Sequence, residues 1–275
     1  MYQREDGLIN VWKWNLAQQM AVIRSLPAQF RYVTVDCKFP GIVARPMGTF
    51  HSMSEYHYQT LRTNVDILKV MQVGLTITDH MGQSCPKTPG TWQFNFKYDP
   101  LQDMGSKDGI EGLRQSGLDL EKHQTDGIEQ NEFAELLVSS GLVLNDQITW
   151  ISFHSGYDLG YLFSMMYNDL CPVERTNYLE LFTIYFPSIW DLKSLVKTFK
   201  LSDKKYLHEV GHDFGLFRGN GLCLAGVDSC LTSLCFFDVL RSVGENNMRP
   251  VKNVLWGLAH DYKDDDELAP PFYVS

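Results

Sequence analysis

Residues 148–162 read ITWISFHSGYDLGYL and contain the strand-to-helix junction that decides the fold. The apolar run ITWISFH predicts a buried strand, and the residues after it predict a helix that begins near Asp158. Earlier in the chain, RYVTVD at 31–36, VMQVGLTITD and TWQFNFKYD predict three more strands, the last of them half-buried with its aromatic residues on one face. Helices are predicted between and after these strands. The sequence therefore predicts a mixed α/β domain.

Helical spacing of apolar residues predicts the remaining elements. Ile9, Trp12 and Leu16 begin a pattern that continues to residue 23 and predicts one amphipathic helix, ending at Pro27. Further helices are predicted over about 54–68, 131–141, 176–185, 192–200, 204–215 and 228–242, with an unassigned polar stretch near 103–130. We predict a single domain over 1–250 and a partly disordered C-terminal tail over 251–275, where acidic residues and two prolines cluster.

Composition narrows the function classes. The 275 residues are 44% hydrophobic, enough for one large core, and the formal net charge of −9 gives no global attraction to nucleic acid. The six cysteines form no C-x-x-C pair, which is typical of free thiols in a reducing compartment. The sequence contains neither a recognisable secretory signal nor a run of eighteen apolar residues, so we expect an intracellular protein that does not span a membrane.

Three aspartates lie at the ends of predicted elements. Asp36 ends a β-branched strand, Asp158 lies at the strand-to-helix junction, and Asp228 opens the last long helix. Carboxylates that converge in a fold need counter-cations, usually Mg²⁺ or Mn²⁺. Each aspartate taken alone is also well explained as a helix cap or a turn residue. Spacing alone does not decide between a metal site and three caps.

Longer strings around these residues resemble a known family. DCKFPGIVARPMGTF, YHYQTLRTNVD, TWQFNF, FAELL and WISFHSGYDLGYL resemble, in this order, the Pop-type deadenylases, the CCR-associated factor nucleases of the CCR-NOT complex. The resemblance runs from about residue 11 to 243 and weakens after about 193. It implies a ribonuclease H-like α/β fold, a mixed sheet flanked by helices, with a DEDD exonuclease site.

The resemblance also implies an activity, cofactors and partners. Members of the family are poly(A)-specific 3′-5′ exoribonucleases that release AMP with two bound metal ions, Mg²⁺ or Mn²⁺. Asp36, Asp158 and Asp228 match three of the four metal-binding acids. The resemblance implies poly(A) RNA as the substrate, a NOT scaffold subunit and a leucine-rich-repeat CCR nuclease as partners, and a location in both cytoplasm and nucleus.

Two positions depart from the family pattern. Lys38 stands where the family has its metal-binding glutamate, and Cys223 stands where it has a histidine that helps as the base. A protonated lysine has only hydrogen-bond donors and cannot ligate a metal ion. Three carboxylates with one ammonium carry a charge of −2, enough for a single divalent ion, so one or two ions, or none, remain open. We predict a catalytically impaired subunit, with an active deadenylase that uses a rearranged site as the alternative.

One further string, HEVGH at 208–212, is typical of zinc peptidases. In such enzymes two histidines at i and i+4 hold the metal and the glutamate activates water. A third histidine six residues after His212 would complete one variant of the pattern, but Arg218 stands there. The peptidase is a remote alternative. We interpret His154 as structural or substrate-positioning, and Asp191 as a spare metal ligand only if the acidic cluster has rearranged.

Overall fold

The computed structural model describes residues 8–218 and 223–259, and six strands form one sheet at its centre. These are β1 (Leu8–Val11), β2 (Tyr32–Lys38), β3 (Gln72–Thr78), β4 (Thr91–Asn95), β5 (Thr149–Ser152) and β6 (Ile189–Asp191). Their spatial order is β1-β4-β3-β2-β5-β6. β3 runs antiparallel to β2 and β4, whereas the β1–β4, β2–β5 and β5–β6 pairs are parallel. The sheet is therefore mixed, with β2 and β3 at its centre.

Helices cover both faces of the sheet. They are α1 (Leu16–Arg24), α2 (Met53–Ile67), α3 (Lys107–Gln115), α4 (Leu120–Asp126), α5 (Gln130–Val138), α6 (Ser155–Tyr167), α7 (Arg175–Tyr185), α8 (Leu192–Thr198), α9 (Leu207–Asp213), α10 (Ala225–Val243) and α11 (Glu245–Met248). The long α10 packs across β2, β3, β4 and β5, with α8 and α9 beside it, while α6 packs on β2 and β5 together with α2 and α5. None of the helices in the described ranges is long and apolar enough to cross a membrane.

The first predicted helix is only partly correct. Residues Leu8–Val11, which include Ile9, form edge strand β1, and the helix starts at Leu16. The apolar spacing fits a helix throughout, but β1 pairs in parallel with β4, and this tertiary pairing overrides the local pattern. The prediction of a half-buried strand at TWQFN was also wrong, because β4 is buried along its whole length. Helix α10 covers one face, and Phe133 of α5 packs against Phe94 on the other.

Close backbone contact fixes where α10 begins. A Cβ atom added to Gly74 of β3 would lie 2.1 Å from the Ala225 carbonyl oxygen, so only glycine permits this approach. At Gly226 an added Cβ would lie 2.6 Å from the Leu8 side chain. The first turn of α10 consequently rests directly on the central strands. This contact brings the carboxylate of Asp228 to the end of β2.

The predicted boundary at residue 250 falls within packed structure. Val251, Leu255, Trp256 and Leu258 are buried, and the Trp256 N–H donates to the carboxylate of Asp191 at 2.9 Å. Residues 251–259 therefore complete the core instead of forming a free tail. The predicted disorder of 260–275 lies outside the described residues.

Candidate active site

Strand alternation places two predicted site residues side by side. Asp36 and Lys38 are two residues apart on β2, so their side chains point to the same face, towards α10. The Lys38 ammonium lies 2.8 Å from Asp36 Oδ2 and 2.6 Å from Asp228 Oδ2. Only 8% of the Lys38 side chain and 3% of the Asp228 side chain are exposed. One buried cation thus joins two of the three predicted acids.

A second cation, which the sequence analysis did not assign to the site, binds the same carboxylate. Arg218 Nε donates to Asp228 Oδ1 at 2.7 Å, and Nη2 donates to Oδ2 at 3.2 Å. This is a bidentate pair, the geometry in which guanidinium binds a carboxylate most strongly. An arginine ten residues before a predicted ligand was the available signal, but spacing does not reveal which way a loop residue turns.

Asp158 lies in the first turn of α6, next to the same strand, and both of its carboxylate oxygens accept hydrogen bonds. Oδ1 accepts from the Cys37 backbone N–H at 2.9 Å, and Oδ2 accepts from the Ser152 hydroxyl. The carboxylate therefore ties α6 to β2 and β5. Neither donor is a backbone N–H of α6, so Asp158 is not a cap of its own helix, and the cation contacts belong to Asp36 and Asp228.

Cys223 lies beside the ion pairs that Lys38 and Arg218 make with Asp228. Its thiol donates to Asp228 Oδ2 at 3.4 Å, and burial raises the pKa of the thiol above its usual value. A protonated thiol cannot accept the proton of an attacking water, so Cys223 does not replace a histidine base at neutral pH.

The pKa values of the three aspartates shift in different directions. Burial raises the pKa of Asp36 to about 7, against the opposing pull of Lys38. Burial, followed by the nearby Asp36 charge, raises the pKa of Asp158 well above its usual value. Burial also opposes ionisation of Asp228, but the charges of Lys38 and Arg218 together hold its pKa below the usual value. Asp228 is therefore fully ionised at neutral pH, whereas burial opposes the ionisation of Asp36 and Asp158.

This arrangement does not fit a divalent metal centre. The ammonium of Lys38 fills the gap between Asp36 and Asp228 at hydrogen-bonding distance, where a metal ion would need carboxylate oxygens pointing at it from about 2.1 Å. Asp158 uses both oxygens on protein donors. Within residues 8–218 and 223–259, no group of three or more His, Cys, Asp or Glu side chains is arranged to hold a metal ion.

Asp191 and His154 have structural positions. The Asp191 carboxylate accepts five backbone N–H groups, from residues 154, 155, 193, 194 and 256, at 2.9–3.4 Å. It caps two helices and has no free oxygen for a metal, so the spare-ligand hypothesis is not supported. His154 is the left-handed N-cap residue of α6, with φ of 67°, and burial lowers the pKa of its imidazole well below the usual value.

The HEVGH string forms α9. His208 and His212 are exposed, and the Glu209 carboxylate accepts the Tyr206 N–H at 3.2 Å as part of a helix cap. A zinc peptidase would need this glutamate to face the metal-bound water. Partial desolvation of the imidazole, followed by the charge of Arg218, lowers the pKa of His208.

Comparisons with known proteins agree with this fold. A model of the CAF1 family of ribonucleases matches residues 11–140. The chain is 44% identical over 250 residues to poly(A) ribonuclease pop2 of Schizosaccharomyces pombe, covering 90% of this chain and 74% of that protein. It is 43% identical over 268 residues to the probable CCR4-associated factor 1 homolog 7 of Arabidopsis thaliana, covering 94% and 96%.

Solved structures agree as well. S. pombe Pop2p in its Mg²⁺- and Mn²⁺-bound form has a TM-score of 0.86 at 42% identity, covering 92% of this chain and 100% of that one. Yeast CAF1 co-crystallised with the NOT1 MIF4G domain has a TM-score of 0.74 at 34% identity, covering 88% and 92%. Escherichia coli exonuclease I, at 12% identity and a TM-score of 0.55 over 81% of this chain and 43% of that one, shares the fold alone. The predicted ribonuclease H-like fold is confirmed, and this chain belongs to the CAF1 family of ribonucleases.

Proposed function

We propose that this protein is a subunit of a CCR4–NOT-type complex and that its own poly(A) exoribonuclease activity is strongly reduced or lost. Its role in mRNA turnover would then be structural. One observation carries the proposal. The Lys38 ammonium lies 2.6 Å and 2.8 Å from the two carboxylates that a metal ion would have to bridge. A protein cation held there by two ion pairs takes over the charge neutralisation that a metal would provide.

Cys223, the second departure from the family pattern, is expected to lower the activity further. Loss of a general base typically lowers the rate by a factor of about 10² to 10⁴. Cys223, protonated and bonded to Asp228, offers no replacement. Removal of the metal-binding position at Lys38 acts on the same reaction, because metal ions both generate the nucleophile and stabilise the leaving oxygen in two-metal sites.

The scaffolding part of the proposal is supported by the similarity to yeast CAF1, which was crystallised with the NOT1 MIF4G domain. We propose that this chain binds a MIF4G domain of the same kind. Co-elution of the two purified proteins from a gel-filtration column tests it, and separate elution at micromolar concentration would contradict it. Binding to a leucine-rich-repeat CCR nuclease, and location in cytoplasm and nucleus, stay predictions.

An active metal-dependent deadenylase with a rearranged site is the second candidate. It is favoured by the survival of Asp36, Asp158 and Asp228 close together at the end of β2. It requires the Lys38 ammonium to leave Asp36 and Asp228, which would expose two buried carboxylates to each other's charge.

AMP release from an A-tailed RNA separates the two candidates. The purified protein is incubated with the RNA in Mg²⁺ or Mn²⁺, with S. pombe pop2 as the positive control. We expect a rate at least about 10²-fold below the control. Release at a comparable rate that disappears in Asp36→Ala would establish the active enzyme. The zinc peptidase alternative receives no support from α9, where Glu209 is used as a cap.

A further inference from the structure

Arg218 holds its carboxylate partner with one edge of the guanidinium. Nε and Nη2 face the two oxygens of Asp228, at 2.7 and 3.2 Å. A guanidinium has five N–H donors, and the two on Nη1 make no hydrogen bond to any residue in the described ranges. Within residues 8–218 and 223–259, no hydrogen-bond acceptor therefore occupies the opposite edge of the fork.

Arg218 also forms the outer layer of the charge network. Its side chain is 18% exposed, whereas the Asp228 side chain beneath it is 3% exposed and the Lys38 side chain is 8% exposed. The ion pair with Asp228 fixes the guanidinium in one orientation, so little side-chain entropy remains to be lost when a ligand binds. A fixed, partly exposed arginine fork matches two oxygens of a phosphate group.

The site is also less negatively charged than the family pattern implies. The family pattern of four carboxylates carries a charge of −4 and repels a phosphodiester until metal ions neutralise it. At the four matching positions, Asp36, Asp158, Asp228 and Lys38 carry a formal charge of −2, and the guanidinium of Arg218 adds one positive charge at the outer side of the site. The repulsion that a phosphodiester meets at this site without metal ions is therefore smaller than at a site of four carboxylates.

We propose that Arg218 binds a phosphodiester near the 3′ end of single-stranded RNA without a divalent metal ion, so that the protein holds an RNA end that it does not cut. The proposal rests on the proposed function, because it assigns a use to a site of the poly(A) ribonuclease fold in which cleavage is lost. Lys38, through its ion pair with Asp228, keeps that carboxylate in place beneath the guanidinium.

Fluorescence anisotropy with a 5′-labelled oligoadenylate, in EDTA and in MgCl₂, tests the proposal. We expect the two Kd values to agree within about twofold. Arg218→Gln should weaken binding in EDTA about tenfold or more, because a charge-assisted bidentate contact is lost. It should also reduce the slope of log Kd against log salt by about 0.7, the value for one phosphate contact on a single strand. Arg218→Lys keeps the charge without the fork and should give an intermediate Kd.

The matched control is Arg241→Gln, which removes an exposed arginine paired with Asp238 at 3.1 Å and should leave Kd unchanged. Binding that requires MgCl₂, or an Arg218→Gln Kd and salt slope equal to those of the unmodified protein, overturns the proposal. If Arg218→Gln lowers the melting temperature, the Kd of Arg218→Lys tests the proposal instead, and a value equal to that of the unmodified protein overturns it. Free AMP as competitor separates the two phosphate sources: displacement only at large excess supports an RNA-end site, and displacement at equal concentration overturns it in favour of a mononucleotide site.

AMP release measured in the same samples keeps the two proposals distinguishable. Release in MgCl₂ would contradict the loss of cleavage and leave the EDTA binding result standing. If the oligoadenylate does not bind in EDTA and no AMP is released in MgCl₂, only the RNA-end site is contradicted.

Discussion

Replacement of Lys38 by methionine removes a buried ammonium while keeping most of the side-chain volume. Two carboxylates then lose the cation that lies 2.8 Å from one and 2.6 Å from the other. Removal of one partner from a buried ion pair costs about 3–5 kcal/mol. The lower end of that range applies here, because Arg218 still donates twice to Asp228 and because Asp36, with a pKa of about 7, takes up a proton readily. We expect the free energy of unfolding to fall by about 3 kcal/mol at pH 7.

Urea unfolding followed by tryptophan fluorescence measures this loss, since the chain contains six tryptophans. The matched control is Lys69→Met. Lys69 pairs with Asp103 at 2.7 Å, but 48% of its side chain is exposed, and such pairs contribute about 0–1 kcal/mol. The difference between the two losses of unfolding free energy therefore measures the effect of burying the ion pair, beyond the effect of pairing itself.

The pH dependence sharpens the test. Without the ammonium, the pKa values of Asp36 and Asp228 rise, so the Lys38→Met protein binds more protons in its folded state. Its deficit relative to the unmodified protein should narrow as the pH falls from 7 to 5. A Lys38→Met loss below about 1 kcal/mol, equal to that of Lys69→Met and independent of pH, would refute the reasoning that this cation neutralises a buried acidic pair.

Four further predictions concern the activity, the titration of Asp36, the capping role of Asp191 and the metal content. Lys38→Glu combined with Cys223→His should raise Mg²⁺-dependent AMP release from an A-tailed RNA at least about tenfold, because a ligand and a base return; no gain in a chromatographic assay would place the loss elsewhere. Asp36→Asn should flatten the fall in stability between about pH 4 and pH 7. The pKa of Asp36 is about 7 in the folded protein, above its usual value of 3.8. Its protonated form therefore stabilises the fold fully below pH 3.8, and this stability is lost as the pH rises through about 7. Urea unfolding at each pH measures that slope, and an unchanged slope would contradict the assignment. Asp191→Asn should lower the free energy of unfolding by about 2–4 kcal/mol in a thermal melt, because the carboxylate accepts five backbone N–H groups; a loss below 1 kcal/mol would contradict the capping role. His208→Ala should leave the metal content unchanged by plasma mass spectrometry, and a stoichiometric zinc that disappears with the substitution would revive the peptidase alternative.

Most of the sheet could be predicted from the sequence, because β2, β3 and β5 combine β-branched or apolar runs with clear ends. Edge strands could not. β1 has helical apolar spacing and becomes a strand by pairing with β4, and the three residues of β6 are too few to carry a period. The two short helices in the polar stretch, α3 and α4, were also missed, since their apolar faces are small.

The site was predictable where strand alternation determines side-chain direction. Asp36 and Lys38, two residues apart, had to share a face, and their meeting with Asp228 follows from the glycine contacts that seat α10 on β3. Arg218 follows α9 outside any helix or strand, and no periodic pattern determines the side-chain direction of such a residue. The sequence alone therefore did not place this charge at the site, although it lies 2.7 Å from the carboxylate of Asp228, as close as the ammonium of Lys38 at 2.6 Å.

Mn²⁺ binding measured by electron paramagnetic resonance tests the central claim, that protein cations have replaced the metal ions of this ribonuclease fold. The unmodified protein is titrated with Mn²⁺ beside S. pombe Pop2p, whose structure is described as an Mg²⁺- and Mn²⁺-bound form. We expect no stoichiometric Mn²⁺ in this protein under conditions that saturate the relative. One or two tightly bound ions per chain, lost in Asp36→Ala, would contradict it.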